Sequence, residues 1–162
     1  MEITIKWLND KRACAGATEE FEKRFPDGAD VRDVIAALKT ARSWPWLSWF
    51  VEWIEDVELL GELANDADWD ARRAVAQNPN TPAAVLTALA NDEDWAMRRD
   101  VAWNASTPAE TLAALARDED WLVRRGVAWN PSTPPETLTA LANDAVWVVR
   151  DGVARNPNTP IH

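Results

Sequence analysis

The stretch DEDWAMRRDVAWNASTPAETLAALA at 92–116 recurs almost unchanged as DEDWLVRRGVAWNPSTPPETLTALA at 118–142. The pattern continues on both sides, so that a tryptophan returns every 26 residues, at Trp69, Trp95, Trp121 and Trp147. A fixed period between about 20 and 50 residues is typical of stacked supersecondary units. The C-terminal two-thirds of the chain is therefore predicted to be a repeat array, which begins near Leu60.

Each repeat is predicted to contain two short helices and a rigid corner between repeats. The corner reads NPNTP at 78–82 and 156–160, NASTP at 104–108 and NPSTP at 130–134. Asn before Pro disfavours helical backbone, so the preceding helix ends there. The corner threonines Thr81, Thr107 and Thr133 are predicted N-caps of the next helix, and Glu110 and Glu136, three residues after their threonines, are predicted to complete capping boxes.

The helix after each corner carries an apolar stripe. Leu86 and Leu89 lie on it, as do their equivalents Leu112, Leu115, Leu138 and Leu141. A second helix of about nine residues is predicted to begin near each repeated tryptophan, capped by Asp68, Asp94 and Asp120. Helices this short are marginal alone and are stabilised by their neighbours.

Residues 1–54 lack the repeat and are predicted to form a separate N-terminal module, followed by the array at 55–162. Turn and cap signals predict short helices near 6–11, 17–24, 30–41 and 45–56. A stripe of aromatic residues in the last of these is predicted to form the core of the module: Trp46, Trp49, Phe50 and Trp53.

Composition limits the classes of partner. Acidic residues outnumber basic ones by 27 to 17, and the formal net charge is −10. Direct nucleic-acid binding is therefore disfavoured, and a protein partner with a basic or apolar surface is expected. The single cysteine, Cys14, favours a reducing compartment, and no stretch is apolar enough to cross a bilayer. We therefore expect a cytoplasmic protein without membrane contact.

Residues that are identical in every repeat are predicted to be scaffold. They include the repeated tryptophans and two charged ladders, one of arginines (Arg72, Arg98, Arg124 and Arg150) and one of aspartates (Asp66, Asp92, Asp118 and Asp144). The two ladders are predicted to pair, because a partly buried arginine needs a carboxylate or carbonyl partner.

Positions that differ between repeats are predicted to carry recognition. Trp103 and Trp129 stand where the outer units have Gln77 and Arg155, and they are predicted to form an aromatic patch bordered by Arg99, Arg125 and Asp100. Aromatic residues together with arginine are preferred anchors of protein interfaces. These seven residues are the predicted protein-binding site. The other interpretation, left open here, is that the two tryptophans only fill gaps between neighbouring helices.

A second hypothesis concerns an acidic ridge. Its residues are Asp66, Asp68, Asp92, Glu93, Asp94, Asp118, Glu119 and Asp120. Such carboxylates cap helices and keep an array soluble. The alternative function is an acidic inhibitor, for example phage-encoded, that occupies a nucleic-acid-binding groove of a bacterial defence or regulatory complex.

Residues typical of catalysis are scarce. The only histidine is His162, and tyrosine is absent. The spacing Asp66-x-Asp68-x-Asp70 is similar to the start of a calcium loop, but Ala71 and Gln77 replace the required Gly and Glu. We predict no catalytic, metal-binding or cofactor-binding residue, no cofactor, and therefore no enzyme.

The combination of N-P-x-T-P, L-x-x-L-A-x-D and V-A-x-N-P over residues 57–160 resembles the leucine-rich repeat variant family of bacterial solenoids. The resemblance implies an all-α fold, a right-handed α-solenoid of about four two-helix repeats behind an N-terminal helical cap module. The 26-residue unit is longer than usual for that family, and the cysteine cluster that binds an iron–sulfur centre in some members is missing.

The expected function is that of a non-catalytic scaffold or adaptor that binds a protein through the variable face of the array. The array stops at Pro160, where another helix is due. Self-association through this uncapped C-terminal repeat, in residues 141–162, is a further expectation.

Overall fold

The computed structural model describes residues 1–160, with the side chain of Trp44 excepted. The contacts divide the chain into two units, Met1–Trp53 and a second unit that starts at Ile54. The predicted boundary lies one residue further on. His162, the only histidine, lies outside the described residues.

The first unit contains four helices and one short strand pair among its described residues. The helices are α1 (Ile5–Asp10), α2 (Ala15–Arg24), α3 (Val31–Thr40) and α4 (Trp44–Glu52). Strands β1 (Glu2–Ile3) and β2 (Ala29–Asp30) pair antiparallel, Glu2 opposite Asp30. The sequence did not indicate these strands, because two residues are too few for an alternating pattern.

The core of the first unit forms around Ile3, Val31, Leu47 and Phe50, which are almost fully buried. Of the predicted aromatic stripe only Phe50 is fully enclosed, while Trp46, Trp49 and Trp53 are half-buried. Trp7 contacts both Trp49 and Phe50, at ring-centroid distances of 6.4 and 5.5 Å. The stripe therefore contributes to the core mainly through Phe50.

The second unit is a regular helical array. Its first helices, one per repeat, are α5 (Val57–Leu63), α7 (Ala83–Leu89), α9 (Ala109–Leu115) and α11 (Pro135–Leu141). Its second helices are α6 (Trp69–Gln77), α8 (Trp95–Trp103), α10 (Trp121–Trp129) and α12 (Trp147–Arg155). The predicted all-α solenoid is confirmed, and so is the nine-residue length of the second helix. All leucines of the predicted stripe are buried.

The predicted N-caps of the second helices are confirmed. The carboxylates of Asp68, Asp94 and Asp120 accept hydrogen bonds from backbone N–H groups two residues later, at 2.7–2.9 Å. The last helix, α12, has Val146 at this position and no side-chain cap. Aspartate therefore sets the start of the second helix in three of the four repeats.

The predicted capping boxes at the corners are wrong. The hydroxyls of Thr81, Thr107 and Thr133 point back and each donates to a valine carbonyl of the preceding second helix, at 2.6 Å. The first helices start one residue later than predicted, after an uncapped proline, and Glu110 is exposed. The threonines are buried, and a buried hydroxyl needs a hydrogen-bond acceptor, which here is a carbonyl in the last turn of the preceding helix.

A ladder of buried asparagines joins consecutive repeats. The Nδ2 of Asn130 donates to the carbonyls of Ala102 and Asn104, at 2.8 and 2.9 Å, and its Oδ1 accepts from the Ser132 N–H at 2.8 Å. Asn104 and Asn156 make the same three bonds one repeat earlier and later. Because one amide satisfies three backbone groups, the corner and the stacking register depend on each other.

Candidate protein-binding face

The second helices present one stripe of residues away from the core. Successive residues turn by about 100° around an α-helix, so the first, fifth and ninth residues of a nine-residue helix share a stripe. The third, sixth and seventh residues of these helices are buried. We call the remaining stripe the outer face. Its members are Trp69, Arg73 and Gln77 in α6, Trp95, Arg99 and Trp103 in α8, Trp121, Arg125 and Trp129 in α10, and Trp147, Asp151 and Arg155 in α12.

The tryptophans that begin the second helices lie at the surface. Trp95, Trp121 and Trp147 are 39%, 39% and 67% exposed, so these predicted scaffold residues also present ring surface to solvent. The first helical position lies opposite the buried third, sixth and seventh positions. Identity between repeats did not reveal this, because a repeat also copies its solvent-facing residues.

Two arginines of the outer face stack on these tryptophans. The guanidinium carbon of Arg73 lies 5.2 Å from the ring centroid of Trp69, and that of Arg99 lies 5.4 Å from that of Trp95. A cation over an aromatic face is attracted by the ring quadrupole. The stacking therefore holds flat guanidinium groups and aromatic rings together at the surface.

Asp100 lies beneath the outer face, not at its border as predicted. It is only 6% exposed, and its carboxylate accepts from Arg73 Nε at 2.7 Å and from Gln77 Nε2 at 2.6 Å. Arg99 donates to the same carboxylate through Nε and Nη2, at 2.9 and 2.6 Å. These donors compensate the burial of the charge, so Asp100 is a packing element between α6 and α8.

Trp103 and Trp129 each pack on a glycine of the next repeat. A Cβ on Gly126 would lie 3.2 Å from Cδ1 of Trp103, and a Cβ on Gly152 would lie 2.7 Å from Cδ1 of Trp129. In the first repeat the residue equivalent to Trp103 and Trp129 is the smaller Gln77. The repeat that follows it carries Asp100 at the position of these glycines. Each ring therefore fills a gap on the side that faces the glycine, as the second interpretation predicts. Trp103 is nevertheless 43% exposed, so part of its ring also faces solvent.

Arg125 differs from its equivalents in the preceding repeats. Its Nε is buried and has no hydrogen-bond partner among the described residues, and the same is true of Trp129 Nε1. Its own neighbour is Gly126, where α8 has Asp100, and the next repeat offers Gly152. Arg155, at the far end of the outer face, is exposed and pairs with Asp151 at 3.0 Å.

Comparison with known proteins agrees with this geometry. Residues 69–94 and 121–146 match the family described as leucine rich repeat variant. These two segments are similar to leucine-rich repeat variant repeats. Residues 1–56 match the YdhT N-terminal domain. No curated protein matches the chain.

A solved structure has the same fold. It is described as a leucine-rich repeat variant with a novel repetitive protein structural motif, and it matches with a TM-score of 0.60 at 23% identity. The match covers 95% of this chain and 62% of that one, so this chain spans less than two-thirds of its length. At this identity the likeness shows the fold alone.

The arginine ladder of the array pairs with the aspartate ladder of the following repeat. Arg98 binds Asp118 through Nε and Nη2, at 2.7 and 3.1 Å, and Arg124 binds Asp144 in the same way, at 2.6 and 3.2 Å. The remaining nitrogen of each arginine donates to two carbonyls of its own repeat. Each arginine thus connects the turn of its own repeat to the turn of the next one.

Most carboxylates of the predicted acidic ridge have structural partners. Asp66, Asp92 and Asp118 each accept the backbone N–H two residues later, as do the capping aspartates Asp68, Asp94 and Asp120. Glu93 and Glu119 are the exposed members. The ridge therefore has few carboxylates turned to solvent, and the inhibitor hypothesis stays a prediction that no observation here favours.

Burial and pairing act in opposite directions on Asp118. Burial raises its pKa, but the hydrogen bonds from Arg98 and from the Asp120 N–H outweigh burial, so the pKa lies below its ordinary value of 3.8. The hydrogen bond from Arg124 likewise lowers the pKa of Asp144. A lowered pKa means that the charged form is the one bound in the folded protein.

We expect the array to lose stability in acid as these pairs are protonated. A carboxyl whose pKa is lowered by folding stabilises the protein above its unfolded pKa, and this contribution is lost as pH falls through the folded value, here below about pH 4. Asp118→Asn should lower the free energy of unfolding by about 1–3 kcal/mol at pH 7. Urea unfolding should show the difference from the parent protein narrowing below pH 4.

The exposed Glu110 provides the control. Glu110→Gln also removes one negative charge, and it should leave both the stability at pH 7 and its acid dependence nearly unchanged. An Asp118→Asn protein with the full acid dependence of the parent would contradict the assignment.

The first unit contains an apolar cavity of about 280 Å³. Its walls include Phe21, Phe25, Val34, Trp46 and Phe50. Its chemistry suits an apolar group.

No helix within residues 1–160 has the length and apolar character needed to cross a membrane.

Proposed function

We propose that the repeat array is a non-catalytic scaffold that binds a protein partner through the outer face. The observation that supports this is the exposure of Trp95, Trp103, Trp121 and Trp147, each more than a third accessible, on consecutive second helices. Large aromatic residues in contiguous exposed positions mark interaction sites in folded proteins.

The chemistry of the outer face fits a protein surface. Tryptophan and arginine dominate the binding energy of protein interfaces, because each combines a large contact area with a hydrogen-bond donor. Arg73 and Arg99 are already oriented by stacking on tryptophan rings, so little side-chain entropy is lost when a partner binds. The partner is therefore expected to offer an apolar contact surface.

Replacement of Trp103 and Trp121 by glutamine tests the proposal. Glutamine already occupies the equivalent of Trp103 in the first repeat, as Gln77, so the scaffold accommodates it. The intact protein should capture a partner from host lysate and retain it at about 0.5 M salt, because aromatic contacts are little screened. The double variant should lower capture by at least about tenfold, as expected for hot-spot tryptophans.

Val57→Gln is the matched control, because Val57 is exposed and apolar but lies on a first helix. It should leave capture unchanged. Equal capture by the parent protein and the tryptophan variant would contradict the proposal. Light scattering of the purified protein alone gives its molar mass in solution. A dimer mass would identify the partner as a second copy of this chain, and a monomer mass would indicate a different protein.

A further inference from the structure

The array contains one complete carboxylate site within its own chain. The Asp100 carboxylate is held by Arg73 and Gln77 of α6 and by Arg99 of its own helix, with donor–acceptor distances of 2.6–2.9 Å. The donors come from the fifth and ninth positions of one second helix and the fifth position of the next. At the interface between α6 and α8, two arginines of the outer face, Arg73 and Arg99, therefore bind one carboxylate together.

One repeat later the carboxylate is missing, Trp103 replaces Gln77, and Arg99 is already bound to Asp100, so Arg125 is the arginine left over. Gly126 stands at the position of Asp100, and no described residue accepts a hydrogen bond from Arg125 or forms an ion pair with it. Its Nε and the Nε1 of Trp129, one helical turn away, are both buried and unpartnered. Buried donors without acceptors are costly and uncommon, and their presence often marks a site completed by another molecule.

We propose that Arg125 is the docking point for a carboxylate of an acidic segment of the partner protein. This rests on the proposed function of the outer face and specifies the chemistry of its partner. The segment's Asp or Glu side chain accepts hydrogen bonds from the Arg125 guanidinium. Its neighbouring apolar side chains contact the exposed rings of Trp103 and Trp121, which belong to the same face.

Charge complementarity on the outer face favours this occupant over a basic one. Along α6, α8 and α10 the described charges of the face are the three arginines. Asp100 is already paired beneath the face, and Asp151 of α12, which also belongs to it, pairs with Arg155. The net charge of −10 acts at long range, where salt screens it, whereas the contact is governed by the local cations. Arginine also matches a carboxylate geometrically, because its planar fork donates two parallel hydrogen bonds.

Selection from a phage-displayed library of random 12-residue peptides against the full chain tests the proposal. The expected result is enrichment of Asp or Glu next to apolar or aromatic residues. One enriched peptide, made synthetically, should bind at least about tenfold more weakly when its acid is replaced by the amide, or when the protein carries Arg125→Met. Arg117→Met, at an exposed arginine outside the outer face, should leave its affinity unchanged.

A second variant keeps Arg125 and supplies the carboxylate internally. Trp103→Gln together with Gly126→Asp copies the Gln77–Asp100 pair into the next interface, where Arg99 and Arg125 are the flanking arginines. It should abolish binding of the acidic peptide, whereas Trp103→Gln alone should only weaken it. Circular dichroism and unfolding midpoints confirm that each variant is folded.

The outcomes separate the two levels of the proposal. Enriched peptides that lack acids, or that bind the Arg125→Met protein as tightly as the parent, would overturn the carboxylate site and leave the protein-binding face standing. Failure to enrich any peptide also overturns the carboxylate site, while capture with the Trp103 and Trp121 variants still decides the proposed function.

Discussion

Asn130→Asp should lower the free energy of unfolding by about 3–5 kcal/mol at neutral pH, the range seen when a buried charge loses its partners. Asn130 is fully buried, and its Nδ2 donates to two carbonyl oxygens. An aspartate has no donor at this point, so a carboxylate oxygen would face two carbonyl oxygens in a fully buried site. The substitution is nearly isosteric, and the effect is therefore electrostatic.

The pH dependence of this variant identifies the cause. Burial raises the pKa of the new carboxyl above its unfolded value, so its unfavourable charge develops as pH rises from about 4 through the raised value. The protein should therefore regain part of its stability at low pH. Urea unfolding followed by tryptophan fluorescence and by circular dichroism measures both effects.

Asn143→Asp is the matched control, because Asn143 is exposed in a turn between helices. It adds the same charge and should change the free energy of unfolding by less than about 0.5 kcal/mol. Equal stability of the two variants would mean that the asparagine ladder does not hold the repeats together.

Gly126→Asp alone should lower the free energy of unfolding by about 2–3 kcal/mol, and adding Trp103→Gln should restore most of the loss. A Cβ at residue 126 would lie 2.9 Å from the Cβ of Ala102, and the carboxylate would compete with the Trp103 ring for space. With glutamine at 103 the ring is gone, and Arg99 and Arg125 flank the new charge as Arg73 and Arg99 flank Asp100. The interface between α8 and α10 then resembles that between α6 and α8, where a Cβ at the same position is accommodated.

A double-mutant cycle measures this coupling. The four proteins are the parent, Trp103→Gln, Gly126→Asp and the double variant, compared by unfolding in urea. Residues in contact are expected to be non-additive, and here the double variant should be more stable than Gly126→Asp alone. Additive losses would show that the ninth position of one second helix and the sixth of the next are chosen independently.

Much of the scaffold could be predicted from the chain because it is set by local chemistry. An aspartate before a tryptophan caps a helix through its own backbone neighbours, as Asp94 and Asp120 do. The leucine stripe follows from helical periodicity within one segment. The ladder pairing was also anticipated, although not that Arg98 joins Asp118 of the next repeat rather than Asp92 of its own.

The candidate site was predicted less well, because its residues are defined by neighbours 26 residues away. The sequence predicts Trp103 and Trp129 as members of the site, which stays a prediction, and it predicts Trp95 and Trp121 as scaffold, since identity between repeats does not distinguish a core from a repeated surface. Asp100 was placed at the border of the site, and its burial became visible only with Arg73 and Gln77 of the previous repeat in place. The corner threonines were assigned to the wrong helix for the same reason.

The repeat period, the starts of the second helices and the leucine core follow from the amino-acid pattern alone, because the caps and the apolar stripe depend on residues within one turn or one helix of each other. The packing of one repeat on the next is needed to know which side of each second helix faces solvent, which arginine has a carboxylate, and which carbonyl accepts the hydrogen bond of each corner threonine. These features depend on the stacking register, in which each ring, charge and hydroxyl is paired with whatever the adjacent repeat presents. Among the described residues Arg125 has no partner for that reason: Gly126 stands beside it where Asp100 stands beside Arg99, and Gly152 stands at the same position in the next repeat.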